Sequence, residues 1–139
     1  MSRFVLDASV ALAWFIDDPV SAYATRVKKS LLRGSRALVP VLWHLEMANG
    51  FAVAQRRGIL NATDVSQGMD EVEQLLGRVI ESDSGFVSIR QALTTALAFR
   101  LSAYDAVYLD TARRERLPLA TLDQRLLAAA GEAGIELLP

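Results

Sequence analysis

The stretch Phe4-Val5-Leu6-Asp7-Ala8-Ser9 decides the fold. Its three consecutive apolar residues show no polar alternation, so they read as a short strand covered on both faces rather than one face of an exposed sheet. A helical pattern follows from Ser9 to about Ile16 and breaks at Asp17-Asp18-Pro19. A buried strand running straight into a helix is the opening of a parallel α/β unit.

The same alternation continues outward from that stretch. A second helix is expected from about Ser21 to Leu32, then a strand at Ala37-Leu38-Val39, then a helix opened by Pro40 that runs through about Arg57 to Gly58. Thr63 is placed to cap a helix from Asp64 to about Leu76, with Arg78-Val79-Ile80 as the next strand. Helices at about Ile89 to Phe99 and Ala103 to Arg114, a strand at Leu117 to Ala120, a helix at Gln124 to Ala130 and a last strand at Ile135-Glu136-Leu137 complete the pattern. The expectation is a three-layer α/β/α sandwich with a mainly parallel sheet of about five strands, formed by residues 1–139 as a single domain.

Composition narrows the chemistry. The chain has 139 residues, 52% of them apolar, enough for a full core and too many for a disordered segment. Cysteine is absent and His44 is the one histidine, which excludes disulfides, thiolate chemistry, zinc-thiolate clusters and multi-histidine metal sites. Fifteen basic and sixteen acidic residues leave a net charge of −1, so a strongly basic nucleic-acid binder is excluded while local basic patches are not. No apolar run approaches the ~20 residues that span a bilayer, and the start of the chain does not read as a signal peptide, so a cytoplasmic protein is expected.

Four acids occupy positions that surface solvation does not explain by itself. Asp7 and Asp123 each follow an apolar strand, at the end where open α/β sheets bind ligands. Capping serves equally well: Asp7 leads into a helix, and Thr121 to Gln124 has capping-box spacing. Glu46 borders a stripe of Leu42, Leu45, Ala48 and Ala52, with Asn49 nearby and no basic residue one turn away, though a glutamate pointing to water fits there too. Asp105 stands three residues after Ser102, a capping arrangement that suits the helix dipole. Four carboxylates converging at one end of a sheet would repel one another and demand a cation. Hard oxygen ligands favour Mg2+ or Mn2+ over zinc or copper, and such a site suits phosphodiester hydrolysis.

The pieces Val5-Leu-Asp-Ala-Ser, Pro40 through Glu46-Met-Ala-Asn49, Leu101-Ser-Ala-Tyr-Asp105-Ala-Val-Tyr and Leu119-Ala-Thr-Leu-Asp123 occur in order over nearly the whole chain. In this the sequence resembles the PIN domains, and specifically the VapC-type toxin ribonucleases of toxin–antitoxin pairs. The resemblance puts the family's acidic metal-binding residues on Asp7, Glu46, Asp105 and Asp123, its small polar helper on Thr121, and supporting positions on Ser9 and Asn49. It implies Mg2+- or Mn2+-dependent endoribonuclease activity, a homodimer and a small VapB-type antitoxin that covers the active-site groove.

Three basic clusters, Lys28-Lys29 with Arg33 and Arg36, Arg56-Arg57, and Arg113-Arg114 with Arg116, would draw phosphates or merely complement helix C-termini. Trp14, Phe15, Trp43, Tyr104 and Tyr108 read as core or interface before base-stacking platforms, with one of Trp14 and Phe15 left for an antitoxin contact. An aspartate-nucleophile phosphotransferase fits poorly, because Ser9 stands where a second aspartate is wanted and the lysines are confined to positions 28 and 29. No glycine-rich phosphate loop is present. A non-catalytic binding module and a metal-dependent DNA nuclease stay open as alternatives.

Overall fold

A computed structural model describes residues 2–139. Strand β1 (Arg3–Leu6) leads into α1 (Ala8–Ile16), and α2 (Ala22–Leu32) leads into β2 (Arg36–Val39). Helices α3 (Leu42–Arg56) and α4 (Ala62–Leu75) precede β3 (Ile80–Ser82). Helices α5 (Ile89–Phe99) and α6 (Ala103–Glu115), strand β4 (Leu119–Ala120) and helix α7 (Gln124–Glu132) follow. The four strands form one sheet in the order β3-β2-β1-β4, and every pairing is parallel. Phe4, Val5 and Leu6 of the inner strand β1 are fully buried, as an apolar strand covered on both faces must be. Helix α1 packs on α2 and α3, α4 on α3, and α6 on α5, α7 and β1. Among the described residues no helix is long and apolar enough to cross a membrane.

The chain proceeds from β1 through β2 to β3 on one side and returns to the other side of β1 as β4. The strand order therefore reverses between β1 and β4, which is where a ligand crevice forms beyond the carboxyl ends of the strands. The backbone closes there tightly: the Asp7 N–H donates to the Ala120 carbonyl at 2.9 Å.

Five of the expected elements differ, the plainest being β4, which starts at Leu119, two residues later than expected. The sheet has four strands, because the segment expected as the fifth pairs only through a bridge between Leu119 and Leu137. Two backbone bonds to Leu119, from the Leu138 N–H and to the Glu136 carbonyl, exhaust what a two-residue β4 offers. Strand β3 starts at Ile80, two residues later than expected, because Arg78 and Val79 are consumed in a turn around Gly77 (φ +79°). Helix α4 is capped by Asn61 and not Thr63: Asn61 accepts from the Asp64 N–H, and Asp64 accepts back from the Asn61 N–H. Helix α3 is rotated from the expected phase, burying Trp43, Met47, Phe51 and Ala54 while Leu45 stays 73% exposed. The stripe with the larger aromatic and thioether surface has gone inside, since the stabilisation follows apolar area.

Candidate metal centre

Strand β1 delivers Asp7 to the reversal point, where it begins α1. A capping role for its carboxylate is not seen: the side chain makes no cap hydrogen bond. Instead Asp7 Oδ2 accepts from the Ser9 hydroxyl at 2.6 Å and from the Thr121 hydroxyl at 2.7 Å, so residues following β1 and β4 grip one carboxylate oxygen. The same two hydroxyls order the loop after β4, Ser9 Oγ accepting from the Leu122 N–H and Thr121 Oγ1 from the Asp123 N–H, each at 3.0 Å. Asp123 is itself the cap of α7, its Oδ1 accepting from the Arg125 and Leu126 N–H groups. The capping box expected from Thr121 to Gln124 is thus replaced by Asp123, while Thr121 turns back to Asp7.

Glu46 lies in the second turn of α3, half-buried, and Asp105 in the first turn of α6, where the Ser102 hydroxyl accepts from its backbone N–H. Asp7, Glu46, Asp105 and Asp123 line one cavity of about 270 Å3 together with Ser9, Asn49 and Gly50. The four acids come from four different elements or their edges, yet they converge. Thr121 reaches the group through Asp7. Asn49 lines the cavity and bonds none of the acids. His44 lies apart and pairs with the Ser82 hydroxyl at 2.6 Å.

Electrostatically acids dominate the cluster, although the Arg125 charge eases Asp105. Burial holds the Asp7 carboxyl above its ordinary range, ahead of the lowering effect of the Ser9 and Thr121 hydroxyls, and the Asp123 charge pushes the same way. Burial also raises Glu46, with the charges of Asp7 and Asp105 adding to it, and raises Asp105, with those of Asp123 and Asp7 adding. The ion pairs of the described residues involve Asp83, Glu71, Glu81 and Glu115, and none of these four acids.

Such a set wants a cation. Among the described residues no three acids or histidines are drawn close enough to encage a bare ion. The carboxylate oxygens are hard donors of the kind that suit Mg2+ or Mn2+, which keeps several waters beside its protein ligands.

One residue of the site escaped sequence reasoning. Tyr108, three residues after Asp105 and fully buried, donates its hydroxyl to Glu46 Oε1 at 2.6 Å. Burial and the nearby acids hold that phenol far above its ordinary pKa, which favours its role as donor to Glu46. The i, i+3 spacing from Asp105 was the available signal, but a tyrosine amid apolar residues on a helix reads as core.

The other aromatic side chains divide. Trp43 is core, whereas Tyr104 is 69% exposed and stands outside the core. Trp14 and Phe15 are both half-buried beneath the Lys28 ammonium. Three members of the basic clusters are engaged locally: Lys28 on Glu71, Arg114 on Asp83 and Glu115, and Arg113 over the Phe99 ring. Arg56 lies ten residues beyond Glu46, about 15 Å along α3.

Comparison with known proteins agrees with this geometry. The family described as PIN domain matches residues 4–132. No curated protein matches. Among solved structures, PAE2754 from Pyrobaculum aerophilum superposes with a TM-score of 0.70 at 21% identity, over 92% of this chain and 84% of that one. At that identity the likeness concerns the fold.

Proposed function

Because the chain belongs to the PIN domain family, whose members are generally metal-dependent nucleases, we propose that it is an Mg2+- or Mn2+-dependent endoribonuclease and the toxin of a toxin–antitoxin pair. The observation that carries the nuclease reading is the carboxylate cluster at the strand-order reversal, with Asp7, Glu46 and Asp105 all raised in pKa and none in an ion pair. The RNA preference, the toxin role and the small antitoxin rest on the resemblance of the four ordered motifs.

In this reading Asp7, Glu46 and Asp105 hold the cation, and Asp123 orients the attacking water or supports a second ion. When bound, the cation supplies Lewis acidity toward a phosphate oxygen and lowers the pKa of water. Ser9 and Thr121 hold the Asp7 carboxylate in one rotamer, leaving Oδ1 for the ligand side. Tyr108 does the same for Glu46. The products are a 5′-phosphate and a 3′-hydroxyl. A homodimer belongs to the same reading, and the apolar face of α5, where Ile89, Leu93 and Leu97 are exposed at four-residue spacing, supplies a surface for it.

The test is cleavage of a mixed small-RNA pool by antitoxin-free protein with Mg2+, with Mn2+ and with chelator, beside Asp105→Asn purified identically. Metal-dependent cuts that the variant does not make are expected. Equal cutting by both proteins assigns the activity to a contaminant, and cutting of DNA but not RNA transfers the reading to the DNA nuclease.

A further inference from the structure

A second cavity of about 350 Å3 adjoins the acidic one and shares Glu46, Asn49 and Asp105 with it. Its remaining lining is Leu42, Leu45, Ser102 and Tyr104, so apart from the two shared acids it carries no charge. Leu45 and Tyr104 are 73% and 69% exposed, large apolar side chains left in water beside a highly charged centre. Tyr104 immediately precedes Asp105 in the first turn of α6, and that turn is fixed by Ser102. The base of the ring therefore stands at a set distance from the carboxylate.

An aromatic face, an aliphatic wall of Leu42 and Leu45, and one amide with both donor and acceptor suit a flat heteroaromatic ring with a polar edge. Its position beside the carboxylates ties that ring to a phosphate. We propose that this cavity is a nucleobase subsite, in which Tyr104 stacks on a base flanking the phosphate held at the carboxylate cluster and the Asn49 amide meets the base edge. The proposal rests on the nuclease reading and deepens it. A base in a duplex is stacked and paired and offers no free face, so the subsite takes a base that has left its stack. The shared residues favour this occupant over a second copy of the chain, which would have no reason to contact Glu46 and Asp105.

The experiment compares binding of the four nucleoside 5′-monophosphates with binding of ribose 5-phosphate, which has the phosphate and sugar but no base. Titrations with Mg2+ present are followed by amide chemical shifts, and RNA cleavage is assayed on the same samples. Base stacking predicts roughly 5- to 100-fold tighter binding of the nucleotides, with shifts at Leu42, Leu45 and Asn49. Tyr104→Ala removes that preference and Tyr104→Phe keeps it; an exposed side chain makes either change without cost to the core.

Equal affinity for ribose 5-phosphate and the nucleotides overturns the subsite, as does a preference that survives Tyr104→Ala. So does a wild type whose dimer is broken by Tyr104→Ala and that shows no nucleotide preference, since a second copy then fills the cavity. The two readings separate cleanly. RNA cleavage without a nucleotide preference rejects the subsite alone, whereas a Tyr104-dependent preference without cleavage rejects the nuclease and keeps the subsite.

Discussion

Glu46 carries its charge half inside the protein, and the group bonded to it is a phenol that does not ionise. A buried donor of that kind fixes which oxygen faces the cavity, so its removal loosens the carboxylate without removing it. Tyr108→Phe is expected to raise the Mg2+ concentration for half-maximal activity about 10- to 100-fold, with little change in the KM for RNA. A loss confined to the KM for RNA would dissociate Tyr108 from the metal site. The neighbouring acids make a second expectation. Asp7, Glu46 and Asp105 bind protons more tightly in the folded chain than in the unfolded one. Their contribution to stability is therefore present at acid pH and is lost as pH rises through the ordinary carboxylate range to the raised values. In chelator at pH 7, Asp105→Asn should unfold at a higher temperature than wild type, and the gap should close as the pH falls below that range. Thermal melts across pH test this, and a variant less stable at every pH would contradict it. The four acids, Ser9 and Thr121 were legible because strand ends and short motifs announce them. Tyr108 was not, because a hydroxyl inside a core is identified by its partner on another helix, 62 residues away in the chain.

At the scale of elements, helix–helix distances decide more than propensity. Gly68 of α4 faces the Phe51 ring of α3, and a Cβ there would lie 2.9 Å from Cε1 and 3.3 Å from the Phe15 ring. Alanine gains about 1 kcal/mol of helix propensity over glycine, but overpacking against two mutually tilted rings costs about 1–3 kcal/mol. Gly68→Ala should therefore lower stability by up to about 2 kcal/mol in denaturant melts, and an increase would mean that α4 slides freely on α3. The same packing explains what the sequence hid. Helix α3 carries two apolar stripes, one through Leu42 and Leu45 and one through Trp43, Met47 and Phe51, and periodicity alone does not rank them. The strands were legible except at the sheet edges, where β3 shifted and the fifth strand shrank to a bridge. At an edge, pairing depends on the length of the neighbouring strand and not on the apolar run itself.

At the scale of the molecule, the stripe of Ile89, Leu93 and Leu97 on α5 is an apolar face left in water. If it is the surface shared by two copies, Leu93→Lys should shift the protein toward monomer in sedimentation, with its fold and its metal binding intact. An unchanged sedimentation coefficient in a dimeric protein would move the contact elsewhere. The wider arrangement bears on the order in which the centre is put together. Asp7 is made first, Glu46 and Asp105 follow, and Asp123 with the Thr121 grip on Asp7 comes last. A chain still on the ribosome holds the first carboxylates without the final loop that orients them. Any cutting activity of the cluster therefore waits until residue 123 has been made and Thr121 has closed on Asp7, so the order of synthesis itself delays assembly of the centre.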